Sequence, residues 1–485
     1  MRRTLSLAAA AALVLTSAAA TAYALTGPSG EPSGTVALTG RAVLPGTTVR
    51  PGSAPSGAFF SASDRASARA NGLTVPDTGP ALAEQPVQGF SAVIPTGTAG
   101  EWWALSDNGY GARQNSADWE LWINRVRPSF AAGSAAPGSV AVVGGFGLSD
   151  PGHKVPWRIV CDPTTGTALP PFDVNALPAT PPALCGDASE RRLTGFDFDP
   201  ESVQVAADGT FWFGEEFGPF LLHTDPAGHL LEAPVGVPGA VAPQNPTLDP
   251  KAGQRPTVNS SKGLEGLGIS PDRKTLYPLL EGAVTGDDPS DLRIYRFDTR
   301  KHSFAGFYRY HLELPATLVN TAALKLSDGT RAYPADTPPP STTGKAAIGE
   351  LTMLDGDRGV IIERDNGGDS PNPPRFKKLF QIDLSGSPQG QRVGKAPLVD
   401  LMAVPDPNGT GGDGDFFRFP FVTIESVYPL DDHDLLVVND NNYPFSNGRS
   451  FSKGGPLKAD DNEFITLHVS ADLHVDKHLL PPHAG

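Results

Sequence analysis

The chain has 485 residues, of which 39% are hydrophobic and 19% charged, and its formal net charge is −15. This acidity argues against nucleic acid as a partner, because nucleic acid binds to basic surfaces. Beyond the N-terminal run, no segment has the ~20 apolar residues that span a bilayer, so we expect a soluble monomer with no membrane span.

The first 24 residues have the pattern of a secretory signal peptide. Arg2 and Arg3 precede a run of Ala, Leu and Val, and Ala22-Tyr23-Ala24 fits a small-x-small cleavage site. We therefore predict a signal peptide over residues 1–24 and a secreted, extracellular product. Residues 25–60 are rich in Gly, Pro, Ser and Thr, which predicts a linker with one strand around Thr35–Leu44. Residues 61–485 are predicted to form the main domain.

One pattern recurs along that domain: a glutamate, a strand, a tight turn, a second strand and a closing acid. Strand-length apolar stretches around Asp, Gly or Pro are typical of β-hairpins. A fifth copy, GFSAVIPTGTAGEWWALSDN (89–108), has Ser91 in place of the glutamate. The four full copies are DFDPESVQVAADGTFWFGEE (197–216), KGLEGLGISPDRKTLYPLLE (262–281), AIGELTMLDGDRGVIIERDN (347–366) and TIESVYPLDDHDLLVVND (423–440).

The repeats predict an all-β propeller. Further strand-like runs follow the hairpins at 292–298, 377–384 and 463–469, which gives four-stranded units typical of propeller blades. Five units are visible, and we expect six blades, with a strand from the N-terminus completing the last. A pair of β-sandwich domains is the alternative, but it would not explain why acids recur at one place in every hairpin.

The recurring acids predict a metal site. An antiparallel hairpin brings its two ends together, so both acids of each repeat lie at the same mouth of the central channel. Oxygen ligands at this density suit Ca²⁺, with Mg²⁺ or Mn²⁺ as less favoured ions, while the histidines lack zinc-ligand spacing. Each acid taken singly could instead cap loop amides. The predicted metal ligands are Asp107, Glu201, Glu215, Glu265, Glu350, Asp365, Glu425 and Asp440.

A few basic residues stand near these acids in the sequence. Lys262, Arg113 and Arg449 are predicted to bind an anionic substrate, although each could instead form a salt bridge with a neighbouring carboxylate. Cys161 and Cys185 are the only cysteines, and an even pair in an exported protein predicts a disulfide.

Several of these segments resemble the secreted bacterial phytase-like family, also named "esterase-like activity of phytase". The resemblance runs from about Val87 to His468 and rests on 197–232, 259–281, VIIERDN (360–366) and VVNDNNYPF (437–445). It implies a propeller similar to that of the calcium-dependent β-propeller phytases, which cleave phosphate monoesters using calcium ions in a channel mouth. No serine motif supports the esterase part of the name.

The predicted function is therefore a secreted, metal-dependent phosphoric ester hydrolase that acts on a small anionic substrate, a phosphate ester. Arg364 is predicted to hold the phosphate charge, and Glu216 or Glu281 to protonate the leaving oxygen. Two alternatives stay open: a metal-dependent lactonase or related carboxylic ester hydrolase, and an extracellular binding propeller that uses calcium only for rigidity.

Overall fold

The computed structural model describes residues 35–170, 175–249, 252–313 and 347–482. The predicted signal peptide and residues 25–34 of the predicted linker lie outside these ranges. The regular secondary structure of the described part is mostly β-strand, with two short α-helices, α1 (Ala62–Ala70) and α2 (Gly448–Ser452). Neither helix has the length and apolar character needed to cross a membrane.

The strands form blades of four, each counted from its inner strand outward. Strand β1 (Val36–Leu44) comes first in the chain and belongs to the last blade. Blade 1 contains β2 (Phe90–Pro95), β3 (Trp102–Ser106), β4 (Trp122–Ser129) and β5 (Gly138–Gly147). Blade 2 contains β6 (Pro200–Val205), β7 (Phe211–Glu215), β8 (Phe220–Thr224) and β9 (Val235–Gly236). Blade 3 contains β10 (Leu264–Ile269), β11 (Thr275–Leu280), β12 (Asp291–Asp298) and β13 (Ser303–His311).

The C-terminal half continues the same plan. Blade 4 contains β14 (Ala347–Met353), β15 (Arg358–Arg364), β16 (Lys377–Asp383) and β17 (Gly394–Asp400). A short ribbon follows, made of β18 (Val404–Pro405) and β19 (Phe416–Phe417). Blade 5 contains β20 (Thr423–Pro429), β21 (Asp434–Asp440), β22 (Asn462–Val469) and, on its outer side, β1.

The inner strands close a ring. Each of β2, β6, β10, β14 and β20 contacts the next, and β20 contacts β2. The all-β propeller predicted from the sequence is confirmed. The described strands make five blades rather than the predicted six, because the N-terminal strand completes blade 5 and adds no blade of its own.

Strand β1 closes the propeller by pairing antiparallel with β22, from Val36 opposite Val469 to Leu44 opposite Asn462. The strand predicted around Thr35–Leu44 is therefore present. This strand lies within residues 25–60, which are predicted as a linker, and its backbone is hydrogen-bonded within the fold.

Apolar packing between neighbouring blades holds the ring together. Trp212 of blade 2 is fully buried and meets Phe297 of blade 3 edge to face, with ring centroids 4.9 Å apart. Leu279 of blade 3 and Ile361 of blade 4 are also completely buried. Because a blade is covered on both faces, its strands carry near-continuous apolar runs. Tight turns join the inner hairpins, as at Gly209, whose φ of 85° is readily adopted only by glycine.

The long connection between blades 1 and 2 contains the disulfide predicted from the sequence, Cys161–Cys185. Its half-cystines pack with Val160, Leu184 and Phe196 in a small apolar cluster. The bond thus joins two points of this one connection that are 24 residues apart in sequence.

An ion-pair cluster fastens β1 to blade 5. Arg41 on β1 donates to both carboxylate oxygens of Glu463 at 3.0 Å, and Arg449 donates to both at 2.8 Å. Burial alone would raise the pKa of Glu463, but Arg449 and Arg41 outweigh it and lower the pKa to about 2. The carboxylate is therefore ionised at every pH above that value.

We predict that replacing Glu463 by glutamine weakens the fold in a pH-dependent way. The folded pKa of Glu463 lies below its unfolded value, so its stabilisation is present above about pH 4.5 and is lost as the pH falls toward 2. At neutral pH the loss in free energy of unfolding should be on the order of 3 kcal/mol. Denaturant unfolding of both proteins between about pH 3 and pH 7 measures the difference, which should shrink as the pH falls.

The matched control is Asp434→Asn on the neighbouring strand, which removes an exposed pair with His468 and should change stability by less than ~1 kcal/mol. A Glu463→Gln protein whose deficit is the same at all pH values would contradict the role of this carboxylate.

Candidate active site

Every inner strand has a β-bulge at the place of the repeated glutamate. The register shifts fall between Phe90 and Ala92, Pro200 and Ser202, Leu264 and Gly266, Ile348 and Leu351, and Ile424 and Ser426. A bulge re-aims a side chain out of the regular alternation and is common next to active sites. The residues at the bulges are Ser91, Glu201, Glu265, Glu350 and Glu425.

The closing positions of the second strands form a matching set. In four blades the position is acidic: Asp107 follows β3, Glu216 follows β7, Glu281 follows β11, and Asp440 ends β21. In blade 4 the residue that ends the second strand is Arg364, which pairs in register with Ala347. An arginine therefore stands in one blade where the other four have a carboxylate.

Arg364 is buried among glutamates from the two adjacent blades. Its Nη2 lies 3.3 Å from Glu265 Oε1, 3.5 Å from Glu281 Oε1 and 3.3 Å from Glu425 Oε1. Burial opposes the charge, but these carboxylates outweigh it and raise the pKa of Arg364 above its ordinary value. Its Nε is buried and has no hydrogen-bond partner.

Lys262 extends this group toward solvent. Its Nζ forms an ion pair with Glu281, and its side chain is about one-third exposed. Although burial acts in the opposite direction, Glu281, Glu216 and Glu265 raise the pKa of Lys262. We call Arg364, Lys262, Glu265, Glu281 and Glu425 the compensated half of the mouth.

The other side of the mouth holds carboxylates with no such partner. We call Asp107, Asp199, Glu201 and Asp440 the uncompensated half, since within the described ranges none of them forms a salt bridge. Asn108 binds both oxygens of Asp199, through its backbone N–H at 3.2 Å and its side-chain amide at 3.0 Å. Asp199 is a site residue that sequence reasoning missed, although it lies two residues before Glu201 in the motif DFDPES.

Burial and mutual repulsion raise the pKa values of these carboxyls. Burial is the largest cause at each, and it raises the pKa of Asp199 and of Asp440 from 3.8 to about 6. At Asp107, burial followed by the charges of Asp440 and Asp199 raises the pKa well above the ordinary value. Burial and then Asp199 do the same at Glu201. Without a bound cation, protons must therefore neutralise part of the cluster.

The geometry of the mouth is compatible with a divalent cation. Oxygens of Asp199, Glu201 and Glu216 lie within 4.8 Å of one another, and so do oxygens of Glu216, Glu265 and Glu281. Glu216 belongs to both sets, and its buried Oε1 has no hydrogen-bond partner. Asp199 and Glu201 are buried oxygen donors of the kind that fit a hard divalent ion.

Two predicted metal ligands are occupied by backbone amides instead. Glu215 accepts hydrogen bonds from the N–H groups of Phe217 at 2.8 Å and Gly218 at 2.7 Å. Glu350 accepts from Leu267 N–H at 2.9 Å and from its neighbour Leu351 at 2.7 Å, and thereby joins blade 4 to blade 3. These carboxylates therefore cap turns and bulges, and their role as metal ligands stays a prediction.

Asp365, a third predicted metal ligand, is also held by loop amides. It accepts hydrogen bonds from the N–H groups of Gly367, Arg375 and Phe376, and its Oδ1 lies 3.0 Å from the buried ammonium of Lys377. These four contacts shape the loop after β15, and they leave Arg364 rather than Asp365 at the closing position of blade 4.

Two predicted substrate-binding residues contact other groups of the protein. Arg113 is buried and donates to the carbonyl oxygens of Phe196 at 2.5 Å and Gln244 at 2.8 Å, so it braces loops. Arg449 is held by Glu463 at the outer side of blade 5. A cleft of about 560 Å³ beside blade 1, lined by residues such as Arg50 and Trp122, contains none of the predicted site residues.

Comparison with known proteins gives a family and a distant relative. The sequence model of the family described as "Phytase-like: Esterase-like activity of phytase" matches residues 85–443. An uncharacterized secreted protein of Arthroderma benhamiae is 31% identical over 120 residues, which covers 21% of this chain and 22% of the relative. The match thus spans about a fifth of that relative's length.

Among solved structures, the calcium-binding protein regucalcin of Agrobacterium tumefaciens is 10% identical, with a TM-score of 0.31 over 81% of this chain and 93% of that one. A luciferin-regenerating enzyme is 12% identical, with a TM-score of 0.28 over 79% and 80% of the two chains. The PQQ-bound aldose sugar dehydrogenase of Streptomyces coelicolor is 12% identical, with a TM-score of 0.27 over 91% and 100%. None of these likenesses is close enough to bear on substrate or cofactor.

We predict that the metal-free protein loses stability as the pH rises. In the unfolded chain the carboxyls lose their protons near pH 4, whereas burial holds the folded pKa of Asp199 at about 6 and that of Glu425 at about 8. Between these values the unfolded state binds fewer protons, so the free energy of unfolding falls with rising pH. A divalent cation among the carboxylates should replace the protons and remove that fall.

Calorimetric melting between about pH 5 and pH 8, with EDTA and then with excess Ca²⁺, measures both profiles. The melting temperature should fall with pH only in EDTA. Identical profiles in the two buffers would contradict a cation site at the mouth.

Proposed function

The chain belongs to the phytase-like family, and on that premise we propose that it is a secreted phosphoric ester hydrolase that requires a divalent cation. The observation that carries the proposal is the division of the channel mouth. One half offers carboxylates without counter-charge, and the other presents Arg364 and Lys262. A phosphate ester bound to a cation needs both kinds of surface.

The uncompensated half supplies the cation ligands that we propose: Asp107, Asp199, Glu201 and Asp440. All are oxygen donors, and the side chain of Asn108 beside them holds Asp199 in place. Ca²⁺ accepts six to eight such oxygens in flexible geometry, which favours it over Mg²⁺ with its stricter octahedral demand. When bound, such an ion polarises phosphoryl oxygens and lowers the pKa of a water molecule.

The compensated half supplies the anion-binding groups. Three glutamates fix the guanidinium of Arg364, and its unpartnered Nε provides a buried donor for a phosphoryl oxygen. The ammonium of Lys262 is the more exposed of the two cations and meets an incoming anion first. Together they would hold the charge that the phosphoryl oxygens carry in the transition state.

Glu216 supplies the proton for the leaving oxygen in this proposal. Burial, followed by the charges of Glu281 and Asp199, raises the pKa of Glu216 well above its ordinary value, which favours the acid form. In hydrolysis the water oxygen bonds to phosphorus, the ester P–O bond breaks, and the leaving oxygen takes the proton of Glu216, which a proton from the attacking water restores. Glu281 suits this role less well, because it is paired with both Lys262 and Arg364.

Export supports a calcium-dependent role. The disulfide Cys161–Cys185 suits an oxidising compartment, and the fungal relative is named as a secreted protein. Ca²⁺ is bound by many extracellular modules at millimolar to submillimolar affinity.

We predict that the mature protein releases phosphate from phytate or an aryl phosphate with Ca²⁺ present, and that EDTA abolishes the release. Glu216→Gln should lower kcat by about 100-fold or more, since general acid catalysis contributes on that order. Calcium affinity, measured by titration calorimetry, should stay near the wild-type value in this variant. In this proposal Glu216 donates a proton, and the ion is bound by Asp107, Asp199, Glu201 and Asp440.

Asp272→Asn is the control, because Asp272 lies in the turn at the far end of the β10–β11 hairpin and bonds to Ser270. It should keep both kcat and calcium affinity. Loss of calcium affinity in Glu216→Gln would make Glu216 a ligand instead of an acid. Hydrolysis of lactones without phosphate release would contradict the phosphoric ester assignment.

A further inference from the structure

A second group of metal-ligating side chains lies on the opposite face of the propeller. His223 is on β8, Glu232 follows that strand, and His302 is in the turn between β12 and β13. The acids of each inner hairpin lie at the channel mouth. The strand ends near His223 and His302 are the opposite ends, away from the mouth. One ligand atom from each of the three residues lies within 4.8 Å of the others.

The contacts within this cluster converge on one oxygen. Oε1 of Glu232 lies 2.8 Å from Nδ1 of His223 and 2.8 Å from Nδ1 of His302. His223 is buried, Glu232 is half-buried and His302 is exposed at the surface. The cluster joins blade 2 to blade 3, whose side chains Trp212 and Phe297 pack directly beneath it.

The hydrogen bonds around neutral His223 leave no proton for its contact with Glu232. Thr210 Oγ1 lies 2.6 Å from Asp208 Oδ1 and 2.9 Å from His223 Nε2. An ionised aspartate only accepts hydrogen bonds, so the single hydroxyl proton of Thr210 goes to Asp208. The contact with His223 then requires the imidazole proton on Nε2.

In that tautomer Nδ1 of His223 carries a lone pair directed at Glu232 Oε1, only 2.8 Å away. Two electron-pair donors at this distance repel each other unless a proton or a metal cation lies between them. The chain Asp208–Thr210–His223 is also the arrangement that orients metal-binding histidines, in which the distal N–H donates to a fixed acceptor.

We propose that His223, Glu232 and His302 bind a first-row transition-metal ion, with Zn²⁺ as the best match, at a site separate from the channel mouth. Two imidazole nitrogens and one carboxylate oxygen form a donor set that suits Zn²⁺ and that Ca²⁺ uses poorly. Zinc bonds of about 2.0–2.1 Å place tetrahedral ligands about 3.3 Å apart, so these side chains need to separate by only about half an ångström.

Packing against an aromatic side chain holds the buried ligand residue, His223, in place. The ring of His223 stacks on the indole of Trp212 with centroids 4.0 Å apart and an interplanar angle of 7°. A metal ion here would link β8 of blade 2 to the β12–β13 turn of blade 3. No sequence pattern predicts this site, because 79 positions separate the two histidines and only the packing of adjacent blades brings them together.

The test is a calorimetric titration of the full-length, metal-stripped protein with ZnCl₂, in buffer with excess Ca²⁺ to occupy the channel mouth. We expect one Zn²⁺ per chain. His302→Asn should weaken binding by about 100-fold or more, and Thr210→Val, which removes the acceptor of the Nε2 proton, by about 10-fold or more. Asparagine is chosen because His302 has a φ of 49°, a conformation that Asn tolerates.

His229→Asn is the matched control, because this exposed histidine of the same blade pairs with a single carboxylate, Asp225, and should leave zinc affinity unchanged. Zinc should raise the melting temperature of the wild type and of His229→Asn, and not that of His302→Asn. Absence of zinc binding in the wild type would overturn the proposal. So would wild-type zinc affinity in His302→Asn, and, if that variant does not fold, wild-type affinity in Thr210→Val.

Discussion

The constraint on which this molecule depends is the repulsion among carboxylates buried on the axis of the propeller. Eight acids from four blades meet at one mouth, facing Arg364 and Lys262. An unpaired buried charge costs several kcal/mol, so the fold must neutralise these acids by protons, by basic side chains or by a bound cation. Blades 3, 4 and 5 use the basic side chains, while Asp107, Asp199, Glu201 and Asp440 are left to protons or a cation.

The repeated hairpin explains how this concentration of charge arises, and its exceptions explain the chemistry. Each inner strand bulges at the same position, so each blade directs one side chain from the bulge and one from the closing position toward the axis. Two blades depart from the pattern. Blade 1 has Ser91 at its bulge, which removes one charge, and blade 4 has Arg364 at its closing position. A ring of equal acids would only bind cations, whereas Arg364 gives the mouth a side that can also hold an anion.

Much of the fold and part of the site could be predicted from the sequence. Hairpin periodicity identifies the blades because local pattern determines strand register, and the repeated glutamates Glu201, Glu265 and Glu425 lie at the bulges. Glu215, Glu350 and Asp365 could not be separated from them, since the use of a carboxylate depends on which backbone amides the loop brings to it. Arg113 bonds to backbone carbonyls and Arg449 to Glu463, contacts that proximity in sequence does not reveal. The number of blades also depends on long-range pairing, because β1 completes blade 5 by pairing with β22, which lies 418 to 433 positions away in the sequence.

The most direct test of the account is a crystal structure of the protein grown with Mn²⁺, with the anomalous signal of the ion measured. Manganese takes the same carboxylate oxygens as Ca²⁺ and scatters anomalously. The account predicts a peak at the mouth within bonding distance of Asp199 and Glu201, and with Asp107 and Asp440 around it. A map with no peak at the mouth, and carboxylates there in the arrangement of the metal-free protein, would contradict it.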